Sequence, residues 1–317
     1  MGASLRASSK PRTSTGVGGW DYRERVRPVG DDLLLPPSVR LEQGEGGLPR
    51  VVVGSPGGGS AEVYLHGAHV TAWAPPGAAP VLWMSPASRF DAAAAIRGGV
   101  PICFPWFGGG PDGDRSPAHG YARLADWRLV GAEEGPDGVV VTLALDAGDD
   151  GLAATFRVSV GRRLGLSLDV VNEGAAPTSF EVALHTYLAV ADVRAIRVLG
   201  LAGERYLDRN GGPEPVRQDE EAITIAGETD RIYVGSRATV VVEDPGLGRR
   251  LVVEKEGSAS TVVWNPWVGK ASAMADVGPE AWRGFVCVET ANVRSDAVTL
   301  APGARHVTTA LIGVEEA

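Results

Sequence analysis

Two side chains in this sequence suit paired proton transfer. His185 lies in Phe180-Glu-Val-Ala-Leu-His185-Thr-Tyr-Leu188, which reads as a strand. Alternation along that strand puts Glu181, Ala183, His185 and Tyr187 on one side, the pattern of a lined concavity. Glu289 closes the apolar run Phe285-Val-Cys-Val-Glu289. A carboxylate desolvated there rises in pKa and becomes a usable base. Each residue also has a plainer reading. A histidine buried in a strand is more often a satisfied structural group, and a strand-end glutamate often turns to solvent.

Cations and aromatics surround this pair in the sequence. Arg97 opens Arg97-Gly-Gly-Val-Pro-Ile-Cys-Phe-Pro-Trp-Phe-Gly108. Two prolines bar that run from a central strand, so it reads as a rigid loop or edge that displays Arg97. In His119-Gly-Tyr-Ala-Arg123, alternate residues share a face if the segment continues into the strand holding Trp127. Asp230 falls in Gly227–Tyr233, read as a charged loop before a strand, and Trp264-Asn-Pro-Trp267 offers two indoles at a turn. Together these residues suit a polyhydroxylated or anionic ligand. Singly they also fit a solvated arginine, an ordinary strand end, a solvated turn and core packing. No P-loop, dinucleotide fingerprint, HExxH or GxSxG is present.

The elements that must position these groups are strands. From about residue 38, short runs of Val, Leu, Ile, Thr and aromatics alternate with Gly, Pro and Asp clusters. Single strands are expected over Glu62–Trp73, Val81–Met84, Ser179–Ala191 and Val298–Ile312, among others. One short helical turn is expected at Asp91–Ile96. Strands without βαβ alternation favour a large antiparallel sandwich. Residues 38–317 then form one domain, and residues 1–37 a disordered or peripheral segment.

The chain has 317 residues, 44% hydrophobic and 22% charged, which excludes a disordered or fibrous protein. Its net charge of −9 disfavours nucleic acid as a partner but leaves room for a local basic pocket. Cys103 and Cys287 sit in apolar runs and read as buried thiols; neither a metal site nor a disulfide is expected. No apolar stretch is long enough for a membrane helix. The first 20 residues lack acids and carry Arg6, Lys10 and Arg12, but they have no apolar core for a secretory signal. A cytoplasmic monomer without cofactor is expected, with an organellar transit segment not excluded.

Six motifs in order resemble those of glucose-6-phosphate 1-epimerases, the hexose-6-phosphate mutarotases of the aldose 1-epimerase superfamily. They are Arg97-Gly-Gly-Val-Pro with Phe104-Pro-Trp-Phe-Gly, His119-Gly-Tyr-Ala-Arg123, Leu184-His185-Thr-Tyr, Gly227-Glu-Thr-Asp230-Arg, Trp264-Asn-Pro-Trp and Cys287-Val-Glu289-Thr-Ala-Asn-Val. The match covers about residues 38–313 and implies a supersandwich of twisted antiparallel sheets. It further implies His185 as catalytic acid, Glu289 as catalytic base, and Arg97, His119, Arg123 and Asp230 as substrate-binding residues. The implied substrate is a hexose 6-phosphate, with Arg97 and Arg123 on the phosphate and Asp230 helping to keep His185 charged; the alternatives are a mutarotase of free aldoses and a non-catalytic carbohydrate-binding protein. The two catalytic groups are expected to face each other across a gap about one pyranose wide. Relatives often carry Gln before the cleft histidine, where this chain has Ala118, which bears on sugar preference.

Overall fold

The computed structural model describes residues 33–54, 58–212 and 214–317. The expected N-terminal segment lies outside the described residues through position 32, while Leu33 and Leu35 pack against the core. Strands dominate, and every strand pairing among the described residues is antiparallel. The expectation of large antiparallel sheets holds.

Two sheets carry the fold. In a nine-stranded sheet, Arg305–Glu316 lies between Arg249–Glu256 and Leu164–Asn172. An eight-stranded sheet runs through Thr229–Val234, Ser260–Asn265 and Phe285–Asn292 to Val182–Leu184, and ends at Ile102–Cys103. That last strand lies within the proline-bounded run and sits on a sheet edge, as the missing proline donors require. A four-stranded sheet, Val39–Gln43 to His69–Ala74, completes the large elements.

All eight residues of Phe285–Asn292 are buried. Both faces of this strand are covered, so its sequence reads as a continuous apolar run rather than an alternation. One face, with Val286 and Val288, joins Val263 and Leu184 in a hydrophobic cluster that also holds Phe156 and Leu168 of the nine-stranded sheet. The other face bears Glu289. Cys103 and Cys287 are free and buried, as expected.

Several expected strands are interrupted. Glu62–Trp73 splits at a turn where Gly67 and Ala68 have φ of 75° and 45°. Val298–Ile312 splits at Pro302-Gly303, a turn signal in the sequence itself. Ser179–Ala191 becomes three short strands, and Val81–Met84 contributes isolated bridges alone. Asp91–Ile96 is not helical; the α-helix among the described residues, α1, spans Trp267–Ala273, and the sequence reading missed it.

Candidate active site

The register of the eight-stranded sheet creates the central pair. Leu184 pairs with Thr290 and Tyr187 with Cys287, so the count between them sets His185 opposite Glu289. Directly opposed residues of an antiparallel pair bring their Cβ atoms within about 5.5 Å. The side chains meet: His185 Nε2 lies 3.3 Å from Glu289 Oε1. Val262 is opposite Glu289 on the next strand. One pleat repeat along, Tyr187, Cys287, Trp264 and Asp230 form the neighbouring row. His185, Glu289, Val262, Trp264 and Asp230 all line one cleft of about 300 Å³.

This contact replaces the expected pyranose-wide gap. The reason is topological: the antiparallel register sets the two residues directly opposite each other.

Burial governs the charges of the pair. It pushes the Glu289 carboxyl well above the usual carboxylate range, and the negative charge of Asp230 pushes it further. Arg209 pulls the other way. Burial pushes His185 well below the ordinary imidazole value, aided by His119, Arg97 and Arg123. Burial therefore disfavours the charged form of both groups. Asp230, expected to help keep His185 charged, bears on Glu289 through its negative charge. The Asp230 carboxyl is itself raised by burial, while Arg209 and Lys270 counter the shift.

Packing fixes the imidazole. Its ring stacks on Tyr187 with centroids 4.9 Å apart and planes 13° apart. Trp264 meets its edge at 5.7 Å and His119 at 5.9 Å. Tyr187 Oη accepts a hydrogen bond from Arg97 Nη1 at 3.0 Å. Arg97 also grips Asp276 through Nε and Nη2, at 2.9 and 2.8 Å. These partners keep its guanidinium charged despite burial.

His119 and Arg123 come from a loop rather than a strand. The expected alternation fails because Ala122–Leu124 forms a 3₁₀ turn and His119 has φ of 64°. Both side chains still reach the cleft. The Gly108 amide donates to His119 Nδ1 at 3.3 Å, which leaves Nε2 carrying the hydrogen. Burial and the surrounding arginines lower His119 to about 3, so it stays neutral. Arg123 Nη2 donates to the Ala118 carbonyl at 2.7 Å, and no carboxylate among the described residues pairs with it. Asp230 lies in the strand Thr229–Val234, not in a loop. Trp267 turns away from the cleft and packs on Trp282, centroids 4.3 Å apart.

Two cleft cations escaped the sequence reading. Arg209 Nε lies 3.3 Å from Asp230 Oδ2, and Lys270 of α1 lies 2.8 Å from Glu228 Oε1. Arginine is too common here to signal a site. Lysine is not: Lys270 is one of three in the chain, the one available clue. With them the cleft carries Arg97, Arg123, Arg209 and Lys270 against Asp230 and Glu289, a basic pocket in an acidic protein.

Comparison with known proteins places this arrangement. A protein of Escherichia coli K12 described as "Putative glucose-6-phosphate 1-epimerase" is 36% identical over 236 residues, covering 73% of this chain and 79% of its own. A protein of Cenchrus ciliaris with the same description is 32% identical, covering 85% and 86%. The crystal structure of a "putative mutarotase" from Salmonella typhimurium superposes with a TM-score of 0.81 at 29% identity, covering 90% of this chain and 96% of that one. A galactose mutarotase-like protein of Clostridium acetobutylicum shares the fold, with a TM-score of 0.66 at 15% identity. The aldose 1-epimerase family profile matches residues 49–312, and the chain is a member of that family of epimerases.

Proposed function

We propose that the protein interconverts the α and β anomers of a hexose 6-phosphate, with glucose 6-phosphate as the leading candidate. The observation that carries this reading is the His185–Glu289 contact on the floor of a cleft lined by four cations. The relatives described as glucose-6-phosphate 1-epimerases support the choice of sugar.

The phosphate dianion sits against Arg97 and Arg123, held by charge-assisted hydrogen bonds. Arg123 lacks a carboxylate partner among the described residues, so it brings an uncompensated charge. The negative charge of the phosphate also opposes the positive charges that add to the effect of burial on His185. Proton transfer across the His185–Glu289 contact then gives an ionised base and a protonated acid. Glu289 takes the proton of the C1 hydroxyl as His185 protonates the ring oxygen, and the C1–O5 bond breaks. The aldehyde turns about C1–C2 and the ring closes on its other face, with the two residues exchanging roles. Each transfer contributes about 10²–10⁴-fold. His119 offers a fixed Nε2–H to a sugar oxygen, and Asp230 accepts from a hydroxyl. Every residue in this scheme comes from one chain, so a monomer suffices. A soluble sugar phosphate as substrate favours the cytoplasm.

The test is anomer exchange on α-glucose 6-phosphate, followed by NMR or polarimetry. His185→Ala and Glu289→Gln should each lower kcat by about 10³-fold or more while the protein stays folded. Arg123→Ala should raise KM for the phosphate ester at least about tenfold and leave free glucose nearly unchanged. Wild-type relaxation no faster than buffer would end the proposal. Equal effects of Arg123→Ala on both sugars would instead point to unphosphorylated aldoses.

A further inference from the structure

Arg97 and Arg123 line a second cavity as well as the cleft. This cavity of about 430 Å³ lies against the same two guanidiniums and is larger than the cleft itself. Its wall includes Ala93, Ala94 and Ala95 of the run Ala92–Ala95, whose side chains are single methyl groups. Arg89 adds a third guanidinium; it pairs with Asp91 at 3.2 Å and its side chain is 66% exposed. The carboxylate on this wall, Asp276, is already engaged by Arg97. A phosphate held by Arg97 and Arg123 would therefore have the sugar cleft on one side and an open, small-residue chamber on the other, where Arg123 is the cation without a carboxylate partner among the described residues.

We infer that this chamber is a subsite for a substituent carried on the phosphate, so that the enzyme accepts hexose 6-phosphodiesters with a small polyol such as glycerol. The inference rests on the anomerase reading above and extends its substrate class. A diester keeps one negative charge for the arginine pair and leaves C1 free for the same two proton transfers. The polyol lies along the alanine wall, and its hydroxyls are within the chemistry of Arg89. A site built for the monoester alone would close on the outer phosphate oxygens, because an anion gains most where donors surround it.

The experiment compares glucose 6-phosphate with its glycerol diester, measuring anomer exchange by NMR and binding by calorimetry. Wild-type protein should catalyse exchange of the diester with kcat/KM within about tenfold of the monoester. Ala94→Trp should cut diester kcat/KM by at least about tenfold and hold the monoester within about twofold; Ala94→Leu should give a smaller loss in the same direction. Diester exchange at the buffer rate, with the monoester catalysed, overturns the subsite. So does an equal loss of both substrates in a folded Ala94→Trp protein. If neither sugar is exchanged, the anomerase reading has failed instead. Calorimetry then decides the subsite: diester binding weakened by Ala94→Trp supports it, and no diester binding to wild type overturns it.

Discussion

His185 and Glu289 are each held in the protonation state that burial prefers, and folding is less favourable for it. Between the ordinary glutamate pKa and its raised folded value, the native state keeps a proton that the unfolded chain has released. Stability must therefore fall as pH rises through that window, by up to about 1.4 kcal/mol per unit. His185 acts in the opposite sense: its folded pKa is depressed, so stability falls as pH drops below its unfolded value. Glu289→Gln removes the first effect and keeps the shape. Its unfolding free energy should gain on wild type as pH rises above the ordinary glutamate range, measured by urea titration. A gap that stays flat above that range would mean that Glu289 titrates at its usual value. The same variant is expected to be catalytically dead, so the site trades stability for chemistry.

At the scale of elements, the cleft is one pleat face of a sheet with loops laid over it. The loop that presents His119 and Arg123 depends on Gly120, which has φ of 74°. A Cβ there would stand 2.1 Å from the Phe104 carbonyl oxygen. Gly120→Ala combines a disfavoured backbone with a clash against main chain and should cost at least about 2 kcal/mol. Urea unfolding checks the cost, and kcat for the phosphate ester should drop as His119 shifts. A stable, fully active Gly120→Ala protein would show that the loop does not depend on this approach. The sheets themselves were legible, because alternation and turn residues leave their mark on local sequence. The His185–Glu289 register was not, since pairing across more than a hundred residues leaves no local trace. Two errors share a cause. The sequence suggests alternation for Tyr121 and Arg123 and a loop for Asp230, because polar residues beside glycine look alike in strands and turns. Cleft-facing strand positions are polar where a core would be apolar, so the usual pattern is weakest where the site lies.

At the scale of the whole molecule, a net charge of −9 repels an anionic ligand, while four cations in the cleft attract one. The local field should win at short range and be screened by salt. We expect kcat/KM for the phosphate ester to fall severalfold between about 10 and 200 mM ionic strength, as the Debye length shrinks from about 30 to below 8 Å. Free glucose should show little change, and a flat response for the ester would mean that the cleft does not steer its ligand. The nine-stranded sheet has its own consequence. Arg305–Glu316 sits between Arg249–Glu256 and Leu164–Asn172, yet it is made after both. During translation the two halves of that sheet wait, each with an unzipped border, until this last plank arrives and welds them. A prematurely terminated product would thus carry both His185 and Glu289 and still lack the keystone that lets it stand, so proteolysis can sort fragments from finished enzyme without inspecting the cleft.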